Sequence, residues 1–140
     1  MTDVQRRGEQ IVEAMLARDT FSRWLGLEVV ELAPGRCLCR LTVRDDMVNG
    51  FGVAHGGIAF SLADSAFAFA CNMHGRITMS IENSITYPAP VRPGDILTAT
   101  AGMETESKRL GFYRALVVNQ RGETVALFRG TAYKTSQEHP

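Results

Sequence analysis

Asp64 is the only formally charged residue between Asp46 and Arg76, and it stands among Phe60, Phe67 and a row of alanines. A carboxylate in such surroundings is costly unless a partner or a reaction uses it. Desolvation raises a carboxyl pKa, which suits a general base working near neutrality. The plainer reading is an acid bonded to a neighbouring hydroxyl, Ser61 or Ser65. Upstream, His55-Gly56-Gly57 closes a glycine-rich loop and begins an apolar periodicity. At a helix start the first N–H groups are unpaired and carry positive partial charge. Glycine lets a ligand atom approach them closely, and such donors stabilise an oxyanion. The same pair also serves simply to shape a turn. A base together with oxyanion donors is what acyl transfer needs.

Other side chains in reach of this chemistry are Asn49, His55 and Ser80. Asn49 offers an amide to water or substrate, or plain turn formation in Asn-Gly. His55 bonds either the loop or a substrate. Ser80 holds a water, or is an ordinary strand serine. Arg92, Lys108 and Arg109 sit in turns, where they meet phosphates of a long anionic ligand or are merely solvated. Asp64 follows Gly56 by eight residues, about 12 Å of helix at ~1.5 Å per residue. A base must come within about 3 Å of its proton or act through one water. One chain's Asp64 therefore cannot serve its own Gly56. A second copy of the helix, lying antiparallel, brings its Asp64 there, so the expectation is an obligate dimer with shared sites.

The elements that position these residues follow from periodicity. A helix is expected over 3–18, from Ile11, Met15 and Leu16, with a Thr2/Gln5 capping box. A hairpin follows, with strands 27–32 and 36–44 around Pro34-Gly35; Cys37, Cys39, Leu41 and Val43 share one face. A loop over 45–54 leads into the central helix, about 57–74, capped by Gly75. In strand 77–87, Ile77, Met79, Ile81 and Ile85 alternate with Thr78, Ser80, Glu82 and Ser84. A rigid turn over 88–95 and strands 96–105, 112–119 and 124–134 complete the chain. Four consecutive strands suggest an antiparallel meander with the apolar helix on one face, an α+β layer structure. Residues 1–140 read as one domain.

Composition removes several classes. Fifteen basic and fifteen acidic residues cancel, so no basic stripe marks a nucleic-acid binder. The apolar run 58–71 is shorter than the roughly 20 residues of a membrane span, and it contains Asp64. The N-terminus has no apolar run of the signal-peptide kind. Cys37, Cys39 and Cys71 are odd in number and form no CxxC, and no metal-ligand spacing joins the three histidines. The expectation is a cytoplasmic protein with no metal.

Taken jointly, Asn49-Gly50-x-Gly52-x-x-His55-Gly56-Gly57, Phe60-x-Leu62-Ala63-Asp64 and Ala66-x-Ala68-x-Ala70-x-Asn72 resemble the hotdog-fold acyl-CoA thioesterases. The phenylacetate-pathway (PaaI-type) branch is the nearest. Tyr87-x-x-Pro90, Arg92-Pro93-Gly94-Asp95 and residues 125–130 resemble it too. The resemblance implies a long central helix wrapped by a curved antiparallel sheet, preceded here by an N-terminal helix. It implies two such units paired edge to edge, and dimers paired into a homotetramer. It implies hydrolysis of phenylacetyl-CoA or hydroxylated relatives to acid and CoA, without a cofactor, because CoA is part of the substrate. Gly56 would polarise the thioester carbonyl. Asp64 of the neighbouring subunit would activate water or attack directly. Asn49 and His55 would line the site, and Ser80 would place the acid or water. Arg92, Lys108 and Arg109 would meet the CoA moiety, although Ser107-Lys108-Arg109-Leu110-Gly111 departs from the family's glycine-lysine turn. A hotdog hydratase or dehydratase and a non-catalytic acyl-CoA-binding protein are the alternatives.

Overall fold

The computed structural model describes residues 1–140. Helix α1, Asp3–Arg18, starts where the Thr2 hydroxyl accepts the Gln5 N–H at 3.1 Å, and it buries Gly8, Ile11 and Val12. A second helix, α2 (Thr20–Leu25), lies where only a link to the first strand was expected. Asp19 caps it by accepting the Ser22 N–H at 2.9 Å, and Gly26 ends it in the left-handed region at φ 72°. Gly26 is thus a helix cap. Six residues give too few turns for a periodic signal, so α2 was illegible in the pattern.

Strands β1 (Glu28–Ala33) and β2 (Arg36–Thr42) form the expected hairpin, with Cys37, Cys39 and Leu41 buried. The central helix α3 spans Gly56–Asn72, and Gly75 (φ 108°) shapes the turn after it while Met73 occupies the cap. β3 (Arg76–Thr86), β4 (Ile96–Glu106), β5 (Leu110–Val118) and β6 (Thr124–Glu138) follow. The six strands lie in the order β1-β2-β4-β5-β6-β3. Every pairing is antiparallel. Only β4, β5 and β6 form the meander. β3 pairs with β6 instead of β4, so residues 87–95 cross from one side of the sheet to the other instead of making a tight turn. The sheet curls around α3, which touches all six strands.

The expected faces of β3 are reversed in its first half. Thr78 is buried, while Met79 and Ile81 are 58% and 60% exposed. The reason is a bulge. Ser80 pairs with buried Ala132 and Glu82 pairs with Thr131, so Ile81 is the extra residue. Directly paired side chains share a face. Ser80 therefore lies on the helix side, and past the bulge so do Asn83, opposite Gly130, and Ile85, opposite Phe128. A bulge re-aims side chains in this way, and strict alternation cannot foresee it. Thr78 is held inside by Asn72 at the end of α3, which accepts the Thr78 N–H at 2.9 Å and donates to its carbonyl at 3.1 Å.

The core gathers around Phe67 of α3. Its ring lies 5.3 Å from that of Tyr113 and 5.8 Å from that of Phe128. Gly130 makes this possible, since a Cβ there would stand 2.7 Å from the Phe67 ring.

Candidate functional site

The N-terminus of α3 is built by its loop. The Ala54 N–H donates to the Val91 carbonyl at 2.7 Å and the His55 N–H to the Met47 carbonyl at 2.8 Å. These bonds fix the chain where the helix begins. The His55 Nδ1 accepts the Gly57 N–H at 2.9 Å, which makes His55 the N-cap. An accepting Nδ1 leaves the ring proton on Nε2, a free donor at the helix mouth. A Cβ at Gly57 would stand 3.0 Å from Nδ1, so glycine here keeps the cap close. The Gly56 N–H makes no hydrogen bond within the chain. Its carbonyl accepts the Tyr87 hydroxyl at 2.8 Å. Burial pushes the Tyr87 phenol pKa up, which keeps it a donor. Tyr87 is thus a contributor that strand alternation concealed.

Asn49 resolves toward the turn. Its side-chain oxygen accepts the Phe51 N–H at 2.8 Å, and its carbonyl accepts the Gly52 N–H at 3.2 Å. A cleft of about 110 Å³ opens beside these groups, lined by Val53, His55, Gly56, Ala59, Tyr87 and Pro90 among others. Ligand sites of drug size run to roughly 300–1,000 Å³, so this cleft alone is too small to enclose such a ligand.

Asp64 lies two turns further along α3. The half-buried residues Gly57, Phe60, Ser61, Asp64, Ser65 and Ala68 form a stripe that no element of the chain covers fully, whereas Phe67 and Cys71 are buried. The acid and Phe60 share this stripe, whereas Phe67, which the sequence sets beside them, faces the core. Its Oδ1 accepts the Asn83 side-chain N–H at 3.3 Å, and the Asn83 Oδ1 accepts the Ser80 hydroxyl at 2.9 Å. Ser80 therefore reaches Asp64 through Asn83, a residue that sequence reasoning missed. Neither Ser61 nor Ser65 bonds Asp64; Ser65 bonds Ser22 of α2 at 2.9 Å. Desolvation pushes the Asp64 pKa above the ordinary 3.8; the Asn83 hydrogen bond opposes the rise and the Asp19 charge adds to it.

The structure thus makes two clusters on one helix. Asn49, His55 and Gly56 gather at its start; Asp64 and Ser80 meet two turns on. Because α3 is continuous from Gly56 to Asn72, the separation of about 12 Å stands. The cations divide likewise. Arg92 follows Val91, which is bonded to Ala54, at the Gly56 end. Arg109 accepts the Lys134 N–H, and Lys134 pairs with Thr78 beside Asn72. Lys108 and Arg109 therefore lie at the far end of α3, about 25 Å away at ~1.5 Å per residue. A larger hollow of about 210 Å³ lies between the end of α2 and β1–β2. Its Arg40 and Arg44 are paired with Glu28 and Asp46, and it holds none of these groups.

Residues 51–126 match the thioesterase superfamily. The acyl-coenzyme A thioesterase PaaI of Escherichia coli is 39% identical over 125 residues, 89% of each chain. The human acyl-coenzyme A thioesterase 13 is 30% identical over 137 residues, 95% of this chain and 98% of that one. The solved structure of the E. coli PaaI protein, from the phenylacetic acid degradation operon, superposes with a TM-score of 0.93 at 36% identity. That superposition covers 97% of this chain and 99% of the other.

Proposed function

Because this chain belongs to the thioesterase superfamily, we propose that it hydrolyses acyl-CoA thioesters, with phenylacetyl-CoA or a hydroxylated relative as substrate. Its fold, a long helix wrapped by a curved antiparallel sheet, is the hotdog arrangement. The observation that carries the reading is α3 itself, with a free Gly56 N–H at its start and a half-buried acid, held by Asn83, on its uncovered stripe.

Two chains pair with their α3 stripes antiparallel, so that Asp64 of one faces Gly56 of the other. The thioester carbonyl oxygen accepts the Gly56 N–H, and His55 Nε2–H lies beside it. Asp64 takes a proton from water as the water oxygen bonds the carbonyl carbon. Negative charge gathers on the carbonyl oxygen, where the amide and the helix dipole stabilise it. Collapse breaks the carbon–sulfur bond, and the departing CoA thiolate recovers the proton. The raised pKa of Asp64 brings the base closer to the working pH. In the same pairing Arg92 of one chain and Lys108 and Arg109 of the other flank the entrance and meet the CoA phosphates. The aryl preference is supported by the apolar wall of Val53, Ala59, Tyr87 and Pro90 and by the likeness to PaaI. CoA is substrate, and the residues named supply the chemistry without a cofactor. The three free thiols suit a cytoplasmic setting, and pairing of dimers into a homotetramer belongs to the same proposal.

A thiol-release assay across aryl- and straight-chain acyl-CoAs tests this. The expected outcome is free CoA, fastest with phenylacetyl-CoA, and a loss of about 10²–10⁴-fold in kcat for Asp64→Asn. An enoyl group altered without thiol release would replace the reading with a hydratase, and binding without turnover would replace it with a carrier or sensor.

A further inference from the structure

α2 does more than link α1 to the sheet. Its buried Ser22 sits between Asp19 and Ser65. The Ser22 hydroxyl is 2.6 Å from Asp19 Oδ2 and 2.9 Å from Ser65 Oγ. An ionised carboxylate only accepts, so the single Ser22 proton goes to Asp19. Ser22 must then accept from Ser65. The Ser65 proton is committed in turn, and Ser65 presents only lone pairs on the stripe it shares with Asp64.

We propose that Asp19 and Ser22 are positioning residues for hydrolysis: they lock Ser65 as an acceptor, so that one hydrogen of the attacking water is held by Ser65 while Asp64 takes the other. The inference rests on the thioesterase reading above and names the partner of the base. With both hydrogens engaged, a water lone pair is left facing the thioester carbon. After proton transfer to Asp64 the oxygen remains hydrogen-bonded to Ser65, so the relay transfers no proton of its own. A carboxylate in α2 also acts on the base directly, since the Asp19 charge raises the proton affinity of Asp64. The other groups near Asp64 are Cys71 on α3, whose thiol is itself pushed up to about 12 by burial, and Asn83 and Ser80 on β3, which carry no charge. On β5, Tyr113 lies near Cys71, and its phenol is held protonated by burial. Arg23 on α2 and Arg76 and Glu82 on β3 belong to the same elements, and Asp19 is the charge that shifts the acid.

The test uses the full-length protein and the variants Ser22→Ala, Ser65→Ala, their double variant, and Asp19→Asn. Asn caps a helix as well as Asp does, so Asp19→Asn keeps α2; it removes the charge and puts an Nδ2 donor where Oδ2 accepted the Ser22 hydroxyl, so it breaks the relay as well. Two readouts are taken: kcat and KM for thioester hydrolysis against pH, and titration of the Asp64 carboxyl carbon by ¹³C NMR. Ser22→Ala is expected to lower kcat about tenfold, the worth of one neutral hydrogen bond, with KM unchanged. The double variant should be no slower than either single variant, because both break one chain of bonds. Asp19→Asn should move the Asp64 titration, and with it the acid limb of kcat, to lower pH. Additive losses, or a Ser22→Ala protein with wild-type kcat, would overturn the relay. An Asp64 titration unmoved by Asp19→Asn would overturn the electrostatic half, even with a wild type that releases no thiol. That last result would count against the thioesterase reading alone.

Discussion

At the scale of the residue, Asp64 is in tension with the fold that holds it. Desolvation raises its folded pKa above the unfolded 3.8, with the Asn83 bond opposing and Asp19 adding. Between the unfolded and folded values the native state binds more protons than the unfolded chain, so stability falls as pH rises through that window. Below 3.8 both states are protonated and the cost vanishes. Asp64→Asn removes the ionisation and keeps the shape. The variant is therefore expected to melt higher than wild type at neutral pH, with the gain shrinking toward zero as the pH drops below 3.8, while thiol release is lost. Thermal melts of the two proteins across pH check this; an Asn variant less stable than wild type at neutral pH would show that the carboxylate is structural. Asp64, Gly56 and His55 were legible as candidates in the sequence because their types were out of place: a charge among alanines, glycines at a helix start. Asn83, Tyr87 and Ser22 were not. Each is an ordinary polar residue in its own segment, and its partner lies between 19 and 43 positions away.

At the scale of the element, the bulge in β3 decides whether Asp64 has a partner at all. Without the extra residue at Ile81, Ser80 and Asn83 would face opposite sides of the sheet, since successive side chains alternate. With it, both face α3. Period-two reading placed Met79 and Ile81 with the core residues and missed this, because a bulge leaves no compositional mark. The short α2 escaped for a related reason, and the crossover over 87–95 read as a tight turn because Pro and Gly mark both. What the pattern did reveal was α3, the β1–β2 hairpin and the existence of every strand, all set by long apolar periodicities. Gly130 of β6 joins these elements. A Cβ there would stand 2.7 Å from the Phe67 ring and 3.0 Å from Asn83 Oδ1, so Gly130→Ala must push the helix, Asn83 or both. Overpacking of this kind costs about 1–3 kcal/mol. The expected outcome is a lower melting temperature together with reduced kcat, because the displaced group carries the bond to Asp64. A Gly130→Ala protein that melts lower yet keeps full kcat would mean that the Asn83–Asp64 bond is dispensable.

At the scale of the whole molecule, a single chain is unfinished in three places. β3 is an edge strand of 11 residues with Met79 and Ile81 exposed beside it, and long uncovered edges invite another strand. The stripe of α3 that carries Asp64 is open as well, and the cleft at Gly56 is too small to enclose a drug-sized ligand. The antiparallel pairing of two chains proposed above would answer all three, with the strand edges side by side, the stripes in contact, and each acid at the other's helix start. The reach of about 12 Å between Gly56 and Asp64 was legible from sequence spacing, because the rise of a helix is fixed whatever packs around it. The prediction follows from that distance. Asp64→Asn keeps a sound Gly56, and Gly56→Val, whose Cβ would lie 3.2 Å from the Tyr87 ring, keeps a sound Asp64. Each variant alone should be nearly inactive. When the two are unfolded together in equal amounts and refolded, half of the dimers are mixed, and each mixed dimer has one site with both sound parts. Thiol release should recover to about one quarter of the wild-type rate per chain. Sites built within one chain would instead leave every mixture as inactive as its parents, because no exchange of subunits would join a sound Gly56 to a sound Asp64.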